Sequence, residues 1–154
     1  MKSLDIARRQ QRLDRLFDQA GKLPPDYELQ SHWARYLCVL VSGYLETSIR
    51  HLYGEYAAKR SSIQVAGFVS DQLEFFQNPN MQKIMELAGS FSRDWRRELE
   101  ELEDEVRLAV DSIVNNRNQI SHGEDVGISH GTLKRYYESA NQLLNLIEGQ
   151  CDPQ

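Results

Sequence analysis

The stretch WARYLCVLVSGYLETSIRHLY, residues 33–53, decides the fold. Within it Trp33, Leu37, Leu40 and Tyr44 recur at helical spacing and form one apolar stripe. Further apolar side chains widen this stripe until the predicted helix is apolar nearly all round: Tyr36, Val39, Ile49 and Tyr53. A helix of this kind belongs at the centre of a bundle, covered by other helices on several sides. The helical pattern extends from about residue 26 to about residue 59.

Amphipathic patterns flank this central helix on both sides. An N-terminal helix is predicted over residues 2–21, with Gly21 as its stop and a proline pair, Pro24 and Pro25, breaking the chain after it. Residues 61–76 mix β-branched residues with phenylalanines and fit either a short helix or an irregular segment. The turn signal QNPN, residues 77–80, predicts the start of a short helix over residues 81–88.

Two longer patterns complete the chain. One is a helical series with an apolar face: Leu99, Leu102, Val106, Ala109, Val110, Ile113 and Ile120. The other begins at Ser129, a candidate N-cap, with Ile128 and Leu133 placed as a hydrophobic staple around it. Since no strand alternation is present, the sequence predicts an all-α fold, a helical bundle of about five helices. We expect a single domain over residues 1–154 with its core at about 26–148.

Composition narrows the classes of function. The longest apolar run, Tyr36 to Val41, is too short to span a membrane, so no membrane association is expected. The N-terminus lacks a secretory signal, and the two cysteines suit a reducing compartment, so a cytoplasmic protein is predicted. The net charge of −5 argues against broad nucleic-acid binding, so any such role must rest on a local site. The acidic run ELEELEDE, residues 98–105, is interpreted as a solvated helix face.

The segment VNNRNQISHGED, residues 114–125, raises a chemical question. The apolar stripe through Val106, Val110 and Ile113 continues at Arg117, where the pattern calls for an apolar side chain. A buried guanidinium needs an anionic partner or a polar cleft. The alternative is that Arg117 lies at the helix end, reaches outward and hydrogen-bonds the last carbonyl groups.

His122 follows Arg117 by five residues and precedes Gly123. Five residues of ideal helix place two side chains about 140° apart, so the pair converges only if the helix unwinds near Ser121. A fixed cation stabilises developing phosphoryl charge, and a histidine exchanges protons near neutral pH. The two residue types together therefore suit phosphodiester cleavage, whereas His122 alone fits a helix cap equally well.

The string Arg117-Asn118-Gln119-Ile120-Ser121-His122, ending a helix, resembles the R-x4-6-H motif of the HEPN superfamily. Asn118 fits the polar position that follows the motif arginine. SGYLETSIRHLYGEYA, residues 42–57, resembles the second helix of the RiboL-PSP-like branch, and LKRYYESANQLLNLIE, residues 133–148, resembles its closing helix. The resemblance extends from about Trp33 to Glu148.

This resemblance implies a compact helical domain that commonly dimerises, with the motifs of two protomers facing one cleft. Many members are metal-independent endoribonucleases, often toxins of toxin–antitoxin or anti-phage systems, whereas others have lost activity and only bind. The expected function is RNA cleavage that leaves 2′,3′-cyclic phosphate and 5′-hydroxyl ends. Arg117 would stabilise the phosphorane, His122 would act as general acid or base, and Asn118 would position the phosphate or the histidine. An RNA substrate and an antitoxin protein are the candidate partners.

Glu46 is the predicted supporting residue, because its helical neighbours are mostly apolar or small. It would orient Arg117; the alternative is an intrahelical pair with Arg50. A weaker prediction assigns substrate binding to a basic rim that includes Lys134, Arg135 and Arg96. Neither a cofactor nor a metal is expected, since the acidic and histidine residues after Arg117 lack recognised ligand spacing.

Two alternative functions remain at this point. The first is a catalytically inactive HEPN module that binds RNA or a protein partner, which the acidic net charge favours. The second is a structural helical dimerisation module, which predicts that Arg117 faces bulk solvent away from any interface.

Overall fold

The protein is all-α, and in a computed structural model residues 4–152 form seven α-helices. Residues 2 and 3 of the predicted N-terminal helix, and both ends of the predicted domain, lie outside these described residues. The helices are α1 (Leu4–Gly21), α2 (Tyr27–Arg60), α3 (Ile63–Leu73), α4 (Met81–Phe91), α5 (Arg93–Glu100), α6 (Asp104–Ser121) and α7 (His130–Cys151). In the described part of the chain, no helix is both long and apolar enough to cross a membrane.

Helix α2 is the centre of the bundle, as its apolar pattern predicts. Four helices pack directly against it: α1, α3, α6 and α7. Its side chains with no exposed surface lie along most of its length: Leu37, Cys38, Val41, Leu45, Ile49 and Tyr53. The prediction fails at Tyr36 and Val39, which are 46% and 39% exposed. Part of the apolar surface of α2 therefore has no partner within the protomer.

Polar contacts join α7 to both α1 and α2. The hydroxyl of Tyr137 donates to the carboxylate of Asp14 at 2.7 Å, and the hydroxyl of Tyr44 donates to the side-chain oxygen of Asn141 at 2.7 Å. The His130 ring nitrogen lies 3.0 Å from the carbonyl oxygen of Phe17, near the end of α1. These bonds fix α1 and α7 beside the N-terminal half of α2.

Helix starts follow the local signals in the sequence. The side chain of Ser129 accepts the backbone N–H of Thr132 at 3.1 Å, which confirms the predicted cap of α7. Leu133 is fully buried and Ile128 packs against the core, as the staple requires. Asn80 caps α4 by accepting the N–H of Lys83 at 2.9 Å, so the turn signal QNPN was also correct.

The helix count differs from the prediction at two places. The uncertain segment after α2 contains helix α3, capped by Ser62. The single helix predicted through the acidic run is divided into α5 and α6 by residues 101–103. Acidic side chains are unfavourable beside the negative C-terminal end of a helix dipole and favourable beside the positive N-terminal end. An acidic run therefore favours the end of α5 and the start of α6. The run is solvated as expected, but it marks a helix boundary instead of a continuous face.

Candidate functional site

The candidate motif occupies the last turn of α6, and its backbone is well defined by hydrogen bonds. The N–H of His122 bonds to the carbonyl oxygen of Asn118 at 3.1 Å, in the helical pattern. The N–H of Gly123 then bonds to Ile120 at 3.1 Å, and that of Glu124 bonds to Gln119 at 2.9 Å. Gly123 has a φ of +75°. This is a Schellman motif, in which a left-handed glycine ends the helix and satisfies its last carbonyl groups.

Arg117 lies half-buried at the edge of the α6 stripe. Ile113, one turn earlier, is fully buried, and Ile120, one turn later, packs against the core. Among residues 4–152 no ion pair or side-chain hydrogen bond involves the Arg117 guanidinium, and none of its nitrogens is a buried unpartnered atom. The charged group therefore reaches solvent from a partly buried position, with its hydrogen-bonding capacity free for an anion.

His122 is exposed and is the C-cap residue of α6, five positions after Arg117. Convergence would need the helix to unwind near Ser121, but α6 remains helical through Ser121 and reverses only at Gly123. The step of five positions from Arg117 to His122 therefore places the two Cα atoms about 140° apart around the helix axis. Asn118 is half-buried and adjoins Arg117 on the same turn. One protomer thus presents the cation and the proton-transfer group in different directions.

A cleft of about 370 Å³ adjoins the end of α6. Its lining combines the start of α2 with the motif segment: Arg35, Tyr36, Val39, Ile120, Gly123 and Glu124. A guanidinium nitrogen of Arg35 lies 3.4 Å from a carboxylate oxygen of the exposed Asp125. The arginine that lines this cleft is Arg35, whereas Arg117 and His122 are not among its lining residues. The sequence did not indicate Arg35, because it is distant from the motif along the chain.

The structure does not bring Glu46 to Arg117. One Glu46 oxygen accepts the backbone N–H of Asn78 at 2.8 Å, and the other lies 3.8 Å from Arg50. The intrahelical alternative is thus the pairing observed, together with a loop contact that the sequence did not indicate. The Asn78 backbone has a φ of 51°, and its bond to Glu46 holds the turn before α4.

The levels of the two helices explain this separation. Arg35 reaches Asp125 beyond the end of α6, while the Cys38 thiol donates to the carbonyl oxygen of Ile113 at 3.8 Å, so α2 and α6 run antiparallel. Glu46 lies eight residues beyond Cys38, and Arg117 lies four residues beyond Ile113 in the opposite direction. At 1.5 Å per residue, their levels differ by about 18 Å. Glu46 therefore supports the fold around Asn78.

The predicted basic rim is divided between two ends of the bundle. Lys134 and Arg135 are exposed in the first turns of α7, which follow directly after the motif loop. Arg96 lies on α5 and pairs with Glu100 at 2.9 Å. Its neighbour Trp95 accepts a bond from Gln150, which is about 30 Å along α7 from its start. Arg96 is therefore remote from the motif.

A different set of arginines lies nearer to the cleft. Arg9 and Arg12 of α1 line a groove of about 330 Å³ against α2, and Val39 borders both this groove and the motif cleft. The sequence carries one signal for these residues, because the α1 arginines share the helix face opposite to Asp14. The arginine face of α1 can be related to a groove only when it is known that α1 packs against α2.

Other chemical groups are structural. Cys38 and Cys151 are free and buried, and burial raises the pKa of the thiols to about 11 and about 12, so both stay protonated at neutral pH. His130 is tied to the end of α1. Within residues 4–152 there is no group of three or more histidine, cysteine or acidic residues that could hold a metal ion.

The helix reversal after His122 gives a stability prediction. Gly123→Ala should lower the free energy of unfolding by about 1–2 kcal/mol, because an L-residue is strained at a φ of +75°. Gly127→Ala is the matched control, since Gly127 lies in the same loop with no positive φ and no atom within 4 Å of an added Cβ. Urea denaturation of both variants measures the difference. Equal stabilities would contradict the Schellman ending.

Glu46 gives a second prediction, on stability and not on catalysis. Glu46→Ala should destabilise the fold by about 1–3 kcal/mol, because the N–H of Asn78 loses its acceptor. Glu55→Ala should change stability by under about 1 kcal/mol, since Glu55 forms only a half-exposed pair with His51. Thermal and urea unfolding report both effects. If Glu46→Ala abolished RNA cleavage and left stability unchanged, Glu46 would have a role that does not depend on its bond to Asn78.

The comparisons with known proteins agree with the family resemblance and the helical architecture. A family model described as RiboL-PSP-HEPN matches residues 4–152. No curated protein and no solved structure gives a significant match to the chain. Since the family match spans nearly the whole chain, the protein belongs to the RiboL-PSP-HEPN family.

Proposed function

We propose that this protein is a metal-independent endoribonuclease whose active site is completed by a second copy of the chain. HEPN domains are generally associated with nuclease or RNA-related functions. The observation that supports this function best is Arg117, a half-buried cation with a solvent-reaching, unpartnered guanidinium in the motif. Cellular roles that fit such an enzyme are a toxin or an anti-phage effector in the cytoplasm, where its two thiols stay reduced.

The chemistry assigns one role to each motif residue. The ribose 2′-hydroxyl attacks the adjacent phosphorus, a base removes its proton, and an acid protonates the departing 5′-oxygen. Arg117 neutralises the charge that develops on the non-bridging oxygens, and Asn118 positions the phosphate or the histidine. His122 transfers a proton. The products are a 2′,3′-cyclic phosphate and a 5′-hydroxyl end.

A single motif cannot supply all of these groups at one phosphate. His122 points about 140° away from Arg117 around α6, and one histidine cannot stand on both sides of the phosphorus at once. A two-fold axis beside the end of α6 contributes a second histidine and a second arginine from the partner copy. The dimer is thus a requirement of the proposed chemistry.

The exposed apolar surface of α2 supports a location for this interface. Tyr36 and Val39 border the cleft that includes Ile120 and Gly123, and both side chains are substantially exposed despite lying on the central helix. Apolar side chains clustered beside a functional cleft are typical of an interaction surface. Contact through this patch brings two motif segments to one composite groove.

The main alternative is an inactive module that binds RNA or a protein partner. It shares the family and the fold, and it requires neither the charge of Arg117 nor the imidazole of His122 for binding. The two variants described below distinguish it from the nuclease.

The interface location gives an assembly prediction. Tyr36→Glu should convert a dimer to a monomer and reduce cleavage, because a carboxylate replaces an aromatic contact worth about 2 kcal/mol or more. Leu108→Glu is the control, since Leu108 is a 65% exposed apolar residue of α6 outside this patch. Light scattering and a cleavage assay measure the two variants. A monomeric wild type with full activity would contradict the composite site.

The catalytic prediction concerns the motif itself. His122→Ala should slow RNA cleavage by about 10²–10⁴, since proton transfer is lost. Arg117→Ala should slow it by about 10²–10³, by analogy with removal of one oxyanion donor. Both variants should fold and dimerise, because the surrounding core is unchanged. Gln119→Ala, an exposed residue on the same turn, is the control and should retain activity.

The assay uses total cellular RNA with and without EDTA, with end-group analysis of the products. Cleavage by the wild type should survive EDTA and leave cyclic phosphate ends, and its expression should slow growth. Cleavage that stops on chelation would contradict the metal-independent mechanism. Wild type and His122→Ala that are equally inert would favour the binding module.

A further inference from the structure

A groove between α1 and α2 adjoins the motif cleft at Val39, and the proposed chemistry does not use it. Its floor is formed by Val39, Leu40, Gly43 and Tyr44 of α2, and its wall by Leu13 and Leu16 together with Arg9 and Arg12 of α1. It begins at Val39, where the motif cleft ends, and extends to Thr47. Those eight residues of α2 correspond to about 12 Å.

Arginine side chains predominate on the groove side of α1. Arg9 and Arg12 line the groove, with Asp5 on the same face, and the exposed Arg8 and Arg15 lie farther round the helix towards solvent. Asp14 points to the opposite side, where it accepts the hydroxyl of Tyr137, and Asp18 follows one turn later on that side. The groove therefore has a basic flank although the chain as a whole carries a charge of −5.

These cations are largely uncompensated. In the part of the chain that the structure describes, Arg8, Arg12 and Arg15 have no ion-pair partner. Arg9 pairs only with Asp5, at 3.5 Å between half-exposed side chains. Such exposed pairs contribute about 0–1 kcal/mol and yield readily to a stronger anion. Arg9 and Arg12, beside an apolar floor, can therefore receive phosphates at the cost of one weak, exposed ion pair.

We propose that this groove binds the phosphate backbone of single-stranded RNA on its way from the composite active site. This inference rests on the proposed function for its ligand, and it adds the path of the substrate. Arg9 and Arg12 contact successive phosphates, while Arg8 and Arg15 strengthen the positive potential along the wall. The apolar floor accommodates ribose and base surfaces without selecting a sequence.

Gly43 offers a test that leaves the arginines in place. It lies in the groove floor, and a Cβ added to it meets no atom within 4 Å. Gly43→Glu therefore adds a negative side chain to the groove with no clash at its Cβ atom. Replacing a helical glycine also removes an intrinsic weakness of α2. Weaker RNA binding in this variant could not be attributed to unfolding.

The experiment measures binding of a fluorescent oligouridylate to a chain silenced by His122→Ala, over a range of salt concentrations. In this chain, the further substitutions Arg9→Gln and Arg12→Gln should change the dependence of the association constant K on salt. The slope of log K against the logarithm of the salt concentration should become shallower by about 1.4, since each contact to a phosphate of a single strand contributes about 0.7. The same loss weakens binding roughly 25-fold at about 0.1 M salt. Gly43→Glu should weaken binding similarly. The control pair Arg93→Gln and Arg97→Gln, exposed on α5, should do neither.

The outcomes separate this inference from the proposed function. Unchanged binding and slope in the Arg9/Arg12 variant, with a wild type that cleaves RNA, would overturn the groove and leave the nuclease standing. Reduced binding with a wild type that never cleaves would support the groove and overturn the nuclease. Light scattering is run on each variant, because dissociation to monomers on Arg9/Arg12 substitution would show an interface between copies and overturn the RNA path.

Discussion

Burial of α2 is the constraint on which the other helices depend. The helix is 34 residues long, about 50 Å, and much of its length is enclosed by neighbours. Because one central helix is that long, the bundle has two ends with different surroundings. Its N-terminal half contacts α1 and the end of α6, and its C-terminal half carries α3 and, through Arg50 and Glu46, the turn before α4. The motif cleft and the groove between α1 and α2 both lie at the first end.

The ending of α6 is the reason why the proposed chemistry calls for a second copy of the chain. The Schellman motif reverses the chain at Gly123, one residue after His122, so the histidine keeps its helical position. If the reversal came before His122, one chain could direct both Arg117 and His122 at the same phosphate. The left-handed turn at Gly123 thus comes after His122, too late to bring it to the side of the helix where Arg117 lies. The exposure of Tyr36 and Val39 beside this turn is consistent with the same requirement.

Local signals predicted the parts of the structure that depend on local physics. Ser129, Asn80 and Gly123 act on hydrogen bonds within a few residues, and the structure contains each of these helix ends. The errors concern tertiary partners. Glu46 binds a backbone N–H that is 32 residues away in sequence, and Arg35 reaches the motif loop across 90 residues. No periodicity indicates such pairings, because they depend on the level at which two helices cross.

The net charge of −5 is a weaker objection to an RNA substrate than the sequence suggests. The acidic run of residues 98–105 lies at the start of α6, whereas the motif lies at its end, about 25 Å away for an 18-residue helix. The Debye length at physiological ionic strength is about 8 Å, so those carboxylates are screened from the motif. An incoming phosphate experiences the nearby charges: Arg117 and Arg35, the carboxylates of Glu124 and Asp125, and the arginines of α1. A chain that is acidic on average can thus present locally basic surface, here along the groove side of α1.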